Sequence, residues 1–234
     1  TTIYLGNSSN SAQILNNTID GGNGDGIYAD NSTYLIIKGN AVLDKNSEGI
    51  YLNENCSYSV IDSNTVSGND YGIYLYQYND YMDITNNEIS YNNSQYGIKL
   101  YRYNDNVNII GNDISNNGSY GINIESNENY NVDIRSNVIK DHNSYGIYFQ
   151  NSSYGDVIEN LIVNNGSYGI RMQNVYYGDC EVRNNTISGH SSRGLSWESN
   201  DQSNYTLDAT NNSITSNVTG IYCENGGDYN IIAY

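Results

Sequence analysis

The sequence has no proline, one phenylalanine and one tryptophan among its 234 residues. Its three cysteines are too few and too scattered to form the disulfide framework of a small secreted domain. No apolar run approaches the roughly 20 residues that cross a bilayer, and no segment carries the helical period of about 3.6 residues. These absences exclude membrane insertion through an apolar helix and a helical fold.

Positive charge is also scarce. Nine lysines and arginines stand against 26 acidic residues, which gives a formal net charge of −17. A chain this acidic is repelled by phosphate, so we expect neither nucleic acid nor an anionic membrane as a partner. The abundant residues are tyrosine, with 26 copies, and glycine, with 23. Few charges and many small polar residues are typical of a rigid, polar-surfaced repeat protein.

One phrase, Gly-Ile-Tyr-Leu or a close variant, returns about every 24 residues. Its copies begin at Gly26, Gly49, Gly72, Gly97, Gly121, Gly146, Gly169, Gly194 and Gly220. Thr2-Ile3-Tyr4-Leu5 is a further copy that lacks the glycine. The whole chain is therefore predicted to be one repeated unit, a single domain over residues 1–234 without caps or linkers.

A second phrase, an asparagine followed two residues later by an aliphatic residue, keeps step with the first. A third apolar pair, such as Val107 and Ile109, precedes most of those asparagines. Apolar and polar residues alternate within each phrase, as in strands with one buried face. Stacked coils of three short strands predict an all-β parallel β-helix of about ten coils. The handedness of parallel crossovers makes it right-handed.

The asparagines of the second phrase fall in one column of that stack. They are Asn17, Asn40, Asn64, Asn87, Asn112, Asn137, Asn160, Asn185 and Asn212. We expect a ladder in which each side-chain amide bonds the next. The alternative is that they are turn residues chosen for their tolerance of left-handed dihedral angles.

These phrases resemble the parallel β-helix repeat of the pectin-lyase-like superfamily, in particular the NosD-like and surface-protein repeats that read Gly-Ile-x-Leu followed by Asn-Asn-x-Ile. The resemblance covers essentially the whole chain. It implies the fold, but the superfamily includes polysaccharide lyases and hydrolases, phage tailspikes, adhesins and periplasmic accessory proteins. Function therefore has to come from the residues themselves.

An outward column of carboxylates is the strongest candidate for a metal site. Asp133, Asp156, Glu181 and Asp208 each lie four residues before a ladder asparagine. Stacked carboxylates repel one another unless something neutralises them. Bound Ca²⁺ would do so, although no cofactor is required for the fold. The alternatives are a solvated charged surface, partly neutralised by Arg135 and Arg183, and a lyase-type active site.

Few other residues are candidates for catalysis. His142 and His190 read as variants of a turn position that holds asparagine in other coils. No Ser/His/Asp grouping or Cys/His metal spacing appears, so the sequence favours a protein that is not an enzyme. The cysteines are expected to be free thiols, with an intermolecular bridge through Cys56 as the alternative.

Tyrosines form candidate contact surfaces. Tyr76 pairs with Tyr101, and Tyr78 with Tyr103, across two coils. Stacked tyrosines are large, rigid surfaces with a polar edge, which suit sugar rings or another protein chain. The alternative is that such pairs only stabilise the sheets.

The termini of the sequence decided our functional prediction. Strand phrases begin at Thr2-Ile3-Tyr4-Leu5 and reach Ile231-Ile232-Ala233-Tyr234, which leaves two uncapped ends that can stack head to tail. The sequence thus predicts an extracellular or cell-surface structural protein that polymerises into a filament or surface layer. Numerous Asn-x-Ser/Thr sequons make it a candidate glycoprotein. The alternative is a carbohydrate-active β-helix, either a lyase or hydrolase or a glycan-binding rod.

Overall fold

The computed structural model describes residues 2–93, 95–125, 128–151, 154–175, 178–198, 206–224 and 230–233. Every regular element within these ranges is a β-strand of three to seven residues. No helix among them is long and apolar enough to cross a membrane. The strands form three parallel sheets, which confirms the predicted solenoid with three strands in each coil.

Each sheet takes one strand from successive coils. The first sheet contains Ile3–Leu5, Ile27–Ala29, Glu48–Glu54, Tyr71–Gln77, Tyr96–Arg102, Tyr120–Glu125, Tyr145–Gln150, Tyr168–Gln173, Arg193–Glu198 and Thr219–Glu224. The second contains Gln13–Leu15, Ile36–Lys38, Val60–Asp62, Met82–Thr85, Val107–Ile110, Val132–Arg135, Gly155–Ile158, Cys180–Arg183, Thr206–Ala209 and Asn230–Ala233. The third contains Thr18–Asp20, Ala41–Leu43, Thr65–Ser67, Glu88–Ser90, Asp113–Ser115, Val138–Lys140, Leu161–Val163, Thr186–Ser188 and Ser213–Thr215.

The register of the sheets keeps equivalent residues in columns. In the first sheet Ile73 pairs with Ile50 on one side and Ile98 on the other. All three side chains are fully buried, as are Leu75 and Leu100 in the neighbouring column. The alternation of the repeat therefore places its isoleucines and leucines in a continuous core. The residues between them lie on the outer face.

The repeated glycine is required by close approach between coils. A Cβ atom built at Gly97 would lie 2.7 Å from the carbonyl oxygen of Gly121 and 2.6 Å from a methyl group of Ile114. Neither neighbour can move without disturbing the next coil. The first residue of the Gly-Ile-Tyr-Leu phrase is thus fixed by packing.

The predicted asparagine column forms a hydrogen-bonded ladder at the corner between the second and third sheets. Asn112 Nδ2 donates to Asn137 Oδ1 at 3.0 Å and to the carbonyl oxygen of Ile84 at 2.9 Å. The Oδ1 atom of Asn112 accepts from both the backbone N–H and the Nδ2 of Asn87. Eight such side-chain bonds, at 2.9–3.1 Å, join the nine asparagines from Asn17 to Asn212.

Two further polar ladders lie at the other corners. The second contains Asn69, Asn92, Asn117, His142, Asn165, His190 and Asn217. The third contains Asn79, Asn104 and Asn129. The sequence pattern predicted only turn residues for the second column, and the third column was not predicted. At all three corners, ladder side chains accept hydrogen bonds from buried backbone N–H groups. These turns can therefore be tightly packed without leaving an N–H group unpaired.

Candidate functional site: the tyrosine face of the first sheet

The outer face of the first sheet carries twelve tyrosines whose rings contact one another. We call this surface the tyrosine face; it comprises Tyr4, Tyr28, Tyr51, Tyr71, Tyr74, Tyr76, Tyr96, Tyr101, Tyr120, Tyr145, Tyr148 and Tyr168. Centroids of contacting rings lie 4.8–6.1 Å apart. The rings form an unbroken path from Tyr4, in the first coil, to Tyr168.

The repeat itself creates this surface. The outer positions of each strand lie two residues before, one residue after and three residues after the buried isoleucine, so three columns of outer positions run along the sheet. The stacked tyrosines pass from one column to another within the strand that contains Tyr71 and Tyr74. Tyr51 stacks on Tyr74 at 5.1 Å, and Tyr74 contacts Tyr71 of its own strand at 6.0 Å. Tyr71 then begins the column that Tyr96 continues. Two short stacks thereby become one long surface.

Four cationic side chains lie against these rings, and three of them, Lys99, Arg171 and Arg193, also pair with a carboxylate. The Nζ of Lys99 is 4.9 Å from the ring centroid of Tyr96 and 2.8 Å from Glu125 Oε2. The guanidinium of Arg171 is 5.2 Å from the ring of Tyr168 and pairs with Glu198 at 2.6 Å. Arg193 also pairs with Glu198, at 2.7 Å. Each of these three cations is therefore held between aromatic faces and a carboxylate.

Burial raises the phenol pKa of Tyr96, Tyr120 and Tyr148 on this face. Burial, and then the charge of Glu125, raises the pKa of Tyr96. Burial raises the pKa of Tyr148 to about 12, although Arg171 opposes the shift. Burial opposes ionisation of Glu198 as well, but hydrogen bonds from Arg171 and Ser196 keep its pKa below the usual value. At neutral pH the face thus offers phenol O–H donors beside ionised carboxylates.

The predicted aromatic pairs lie on and beside this face. Tyr76 and Tyr101 belong to it and stack at 5.3 Å. Tyr78 and Tyr103 stack at 4.9 Å just beyond the same strands, with φ values of 55° and 54°. A separate exposed stack of Tyr34, Tyr58 and Tyr81, which the sequence analysis did not single out, precedes the second sheet.

The predicted acidic column lies on the outer face of the second sheet. Asp133, Asp156, Glu181 and Asp208 stand in consecutive coils. Arg135 pairs with Asp133 and Asp156, and Arg183 pairs with Glu181. Among the described residues no group of three or more His, Cys, Asp or Glu side chains is arranged to hold a metal ion. Asp133 Oδ1 is nevertheless buried without a hydrogen-bond partner, so the calcium site stays a prediction.

The residues of the predicted self-assembly interface fall on two sheets. Ile3, Tyr4 and Leu5 form the first strand of the first sheet, and Thr2, just before them, donates its hydroxyl to the carbonyl oxygen of Asp25. Ile231, Ile232 and Ala233 belong to a strand of the second sheet. Tyr234 lies outside the described residues. Head-to-tail assembly through these residues stays a prediction.

The cysteines in the described ranges are free. Cys56, the candidate for an intermolecular bridge, is fully buried, and its N–H donates to Asn79 of the third ladder. Burial raises the pKa of its thiol to about 11. A buried, protonated thiol is a poor partner for a bridge between subunits. Cys56 lies inside the structure, at the corner where the third ladder runs.

Comparison with known families agrees with this architecture. The family described as "Right handed beta helix region" matches residues 84–233. The chain belongs to this family, which also confirms the predicted handedness. The family "Periplasmic copper-binding protein (NosD)" matches residues 1–99. No match was found among curated proteins.

Several solved structures share the fold. The periplasmic alginate epimerase AlgG is 19% identical, with a TM-score of 0.66 over 90% of this chain and 47% of that one. The A-module of the Azotobacter vinelandii mannuronan C-5 epimerase AlgE4 is 16% identical, with a TM-score of 0.70 over 90% of this chain and 63% of that one. The Dettilon tailspike protein is 15% identical, with a TM-score of 0.56 over 95% of this chain and 62% of that one. This chain spans about half the length of AlgG.

Proposed function

We propose that this protein is a glycan-binding β-helix that holds a polysaccharide chain along its tyrosine face. The observation that carries the proposal is the unbroken path of ring contacts from Tyr4 to Tyr168. Guanidinium, ammonium, carboxylate and amide groups lie beside these rings. Sugar rings present apolar C–H faces and polar hydroxyl rims. Aromatic surfaces with planar polar groups between them match both features.

The electrostatics of the face favour binding. Burial raises the pKa of the Tyr96 and Tyr120 phenols, so these two groups are hydrogen-bond donors at neutral pH. The carboxylates of the face, Glu125 and Glu198, are engaged in ion pairs. Groups in these states orient a ligand through fixed donors and acceptors.

The fold comparisons support the same class. AlgG and AlgE4 are named as alginate and mannuronan epimerases, and another structure of this fold is an α-1,3-glucanase from Streptomyces thermodiastaticus, at 15% identity and a TM-score of 0.54 over 90% of this chain and 49% of that one. Since AlgG is periplasmic by its name, we further propose a periplasmic or extracellular location. The filament predicted from the sequence has no counterpart among these matches.

The test is a binding measurement with matched tyrosine variants. Affinity electrophoresis through gels that contain a panel of neutral and acidic polysaccharides should retard the protein with at least one of them. Tyr145→Ala removes the ring between Tyr120 and Tyr168 and should abolish most of the retardation. Tyr81→Ala, at an exposed tyrosine outside the tyrosine face, is the control and should migrate like the parent. Equal losses in both variants, or no retardation by any polysaccharide, would overturn the proposal.

A further inference from the structure

The tyrosine face contains the same constellation twice. In the first cluster Lys99 lies beside Asn123 of the next coil, and Glu125 follows two residues later on that strand. In the second cluster Arg171 lies beside Ser196, and Glu198 follows two residues later. A cation, a small polar residue and a carboxylate thus occupy equivalent positions in both clusters.

Each of the two cations is surrounded by three tyrosine rings and one carboxylate. Lys99 Nζ lies 5.4, 4.9 and 5.6 Å from three tyrosine ring centroids, and the Arg171 guanidinium lies 5.6, 5.4 and 5.2 Å from three others. Lys99 is paired with Glu125 at 2.8 Å and Arg171 with Glu198 at 2.6 Å. Neither cation has a free charge to offer an anion. The small polar residues between them are buried, Asn123 at 1% exposure and Ser196 at 0%.

Asn123 supplies an independent sign of a ligand. Its Oδ1 atom is buried and has no hydrogen-bond partner, although its Nδ2 lies 3.5 Å from Glu125. A buried acceptor without a donor is unfavourable, and the fold elsewhere satisfies its buried asparagines through ladders. The missing partner must be a donor such as a hydroxyl group. A carboxylate cannot take this position because it only accepts hydrogen bonds.

The charge of the surrounding surface points the same way. The three outward columns of the first sheet carry six carboxylates, on Asp25, Asp30, Glu48, Glu125, Glu198 and Glu224, and three cationic groups, on Lys99, Arg171 and Arg193. Arg102, whose guanidinium lies 5.3 Å from the ring of Tyr101, adds a fourth cation at the edge of the face. Arg193, which shares Glu198 with Arg171, is covered by the ring of Tyr222 at 3.3 Å. A polyanionic chain would meet net negative charge along this face.

The separation of the clusters fits one extended ligand. Lys99, Asn123, Tyr148 and Arg171 are paired in consecutive coils, so the two cations stand three coils apart. At about 4.8 Å for each coil this distance is about 14 Å along the axis. Building on the proposed glycan-binding function, we propose that the two clusters, at equivalent positions of the sheet, are subsites for one neutral polysaccharide chain. Its hydroxyl groups satisfy Asn123 and Glu125 in the first cluster, and its sugar rings stack on the tyrosines of both.

The first experiment tests the chemical class. Titration of the protein with a neutral hexose polysaccharide and with a uronate polysaccharide of similar length should give at least about tenfold tighter binding of the neutral chain. Glu125→Gln leaves the Lys99 ammonium unpaired, so its affinity for the uronate chain should rise by about tenfold while its affinity for the neutral chain falls. Glu88→Gln makes the same change on the third sheet, where Glu88 is exposed. This control should leave both affinities unchanged.

The outcomes separate this inference from the proposed function. If the uronate chain binds as tightly as the neutral one and Tyr145→Ala still weakens binding, the glycan-binding function stands and the neutral class is wrong. If neither chain binds, both proposals fail. An unchanged uronate affinity in Glu125→Gln would show that Lys99 does not face the ligand, and would also overturn the subsite.

The second experiment tests the pairing of the subsites. Neutral hexose oligosaccharides of increasing length should show a jump in affinity of at least about tenfold once they span about 14 Å, because the second contact becomes intramolecular. Tyr101→Ala, in the first subsite, should abolish this jump while short oligosaccharides still bind the second. A smooth rise with length, or a jump that Tyr101→Ala retains, would contradict two subsites for one chain.

Discussion

Replacing His142 by asparagine should remove a large part of the acid sensitivity of the fold. His142 is a buried member of the second ladder: its Nδ1 accepts from the N–H of Asn117 at 3.1 Å, and its Nε2 lies 3.2 Å from the carbonyl oxygen of Ile114. Protonation would turn Nδ1 into a donor that faces another donor. Burial accordingly lowers the pKa of His142 from 6.5 to about 4.

The sign and size of the effect follow from this shift. Between pH 6.5 and about pH 4 the unfolded chain binds a proton at His142 and the folded chain does not. The contribution of neutral His142 to the free energy of unfolding is therefore fully present above pH 6.5. It is lost as the pH drops towards 4, which lowers the free energy of unfolding by about 3 kcal/mol in total. Asparagine occupies the same ladder position at Asn117 and Asn165, so it can replace both hydrogen bonds without titrating.

Urea denaturation at about pH 7.5 and about pH 4, at constant ionic strength, measures this contribution as a double difference. The parent should lose about 3 kcal/mol more than His142→Asn between the two pH values, while carboxylates common to both proteins cancel. His190→Asn is the companion variant, since burial also lowers the pKa of His190, and it should change the slope in the same direction. Identical pH slopes for the parent and His142→Asn would refute the ladder role of the histidine.

Three further outcomes follow from the fold. Asn112→Ala leaves the buried N–H of Asn87 without an acceptor, so it should lower the free energy of unfolding by about 2–5 kcal/mol in urea titrations. The control Asn93→Ala, at an exposed position, should change it by less than about 0.5 kcal/mol. Equal effects would contradict the ladder. Gly97→Ala should cost about 1–3 kcal/mol by overpacking, and an unchanged melting temperature would contradict the close contact between coils. If the acidic column holds Ca²⁺, chelator should lower the melting temperature and Asp156→Asn should abolish that drop; identical melting curves with and without chelator would leave only a charged surface.

The periodicity of the chain was sufficient to predict the coil, its three strands and the columns that fill its interior. Ile73 and Leu75 could be assigned to the core because a period of two in short strands leaves only one buried face. The ladder at Asn112 followed from the same register. A repeat multiplies each local signal by the number of coils, so its columns are visible before any coordinates are known.

Contacts between columns were harder to predict. Tyr74 and Tyr71 belong to two separate sequence columns, and only the side-chain geometry shows that their rings join the two stacks. Lys99 and Glu125 lie 26 positions apart in different columns, so their ion pair depends on rotamers as well as register. The third ladder, which binds the N–H of Cys56, was not predicted, because its column contains only three asparagines.

The most direct test of glycan binding at the tyrosine face is a crystal structure of the protein with a neutral hexose oligosaccharide long enough to span about 14 Å. We expect the oligosaccharide to run along the axis of the first sheet between Lys99 and Arg171, with a sugar hydroxyl donating to Asn123 Oδ1. An oligosaccharide bound elsewhere, for example on the stack of Tyr34, Tyr58 and Tyr81, with the tyrosine face empty, would contradict the proposed function.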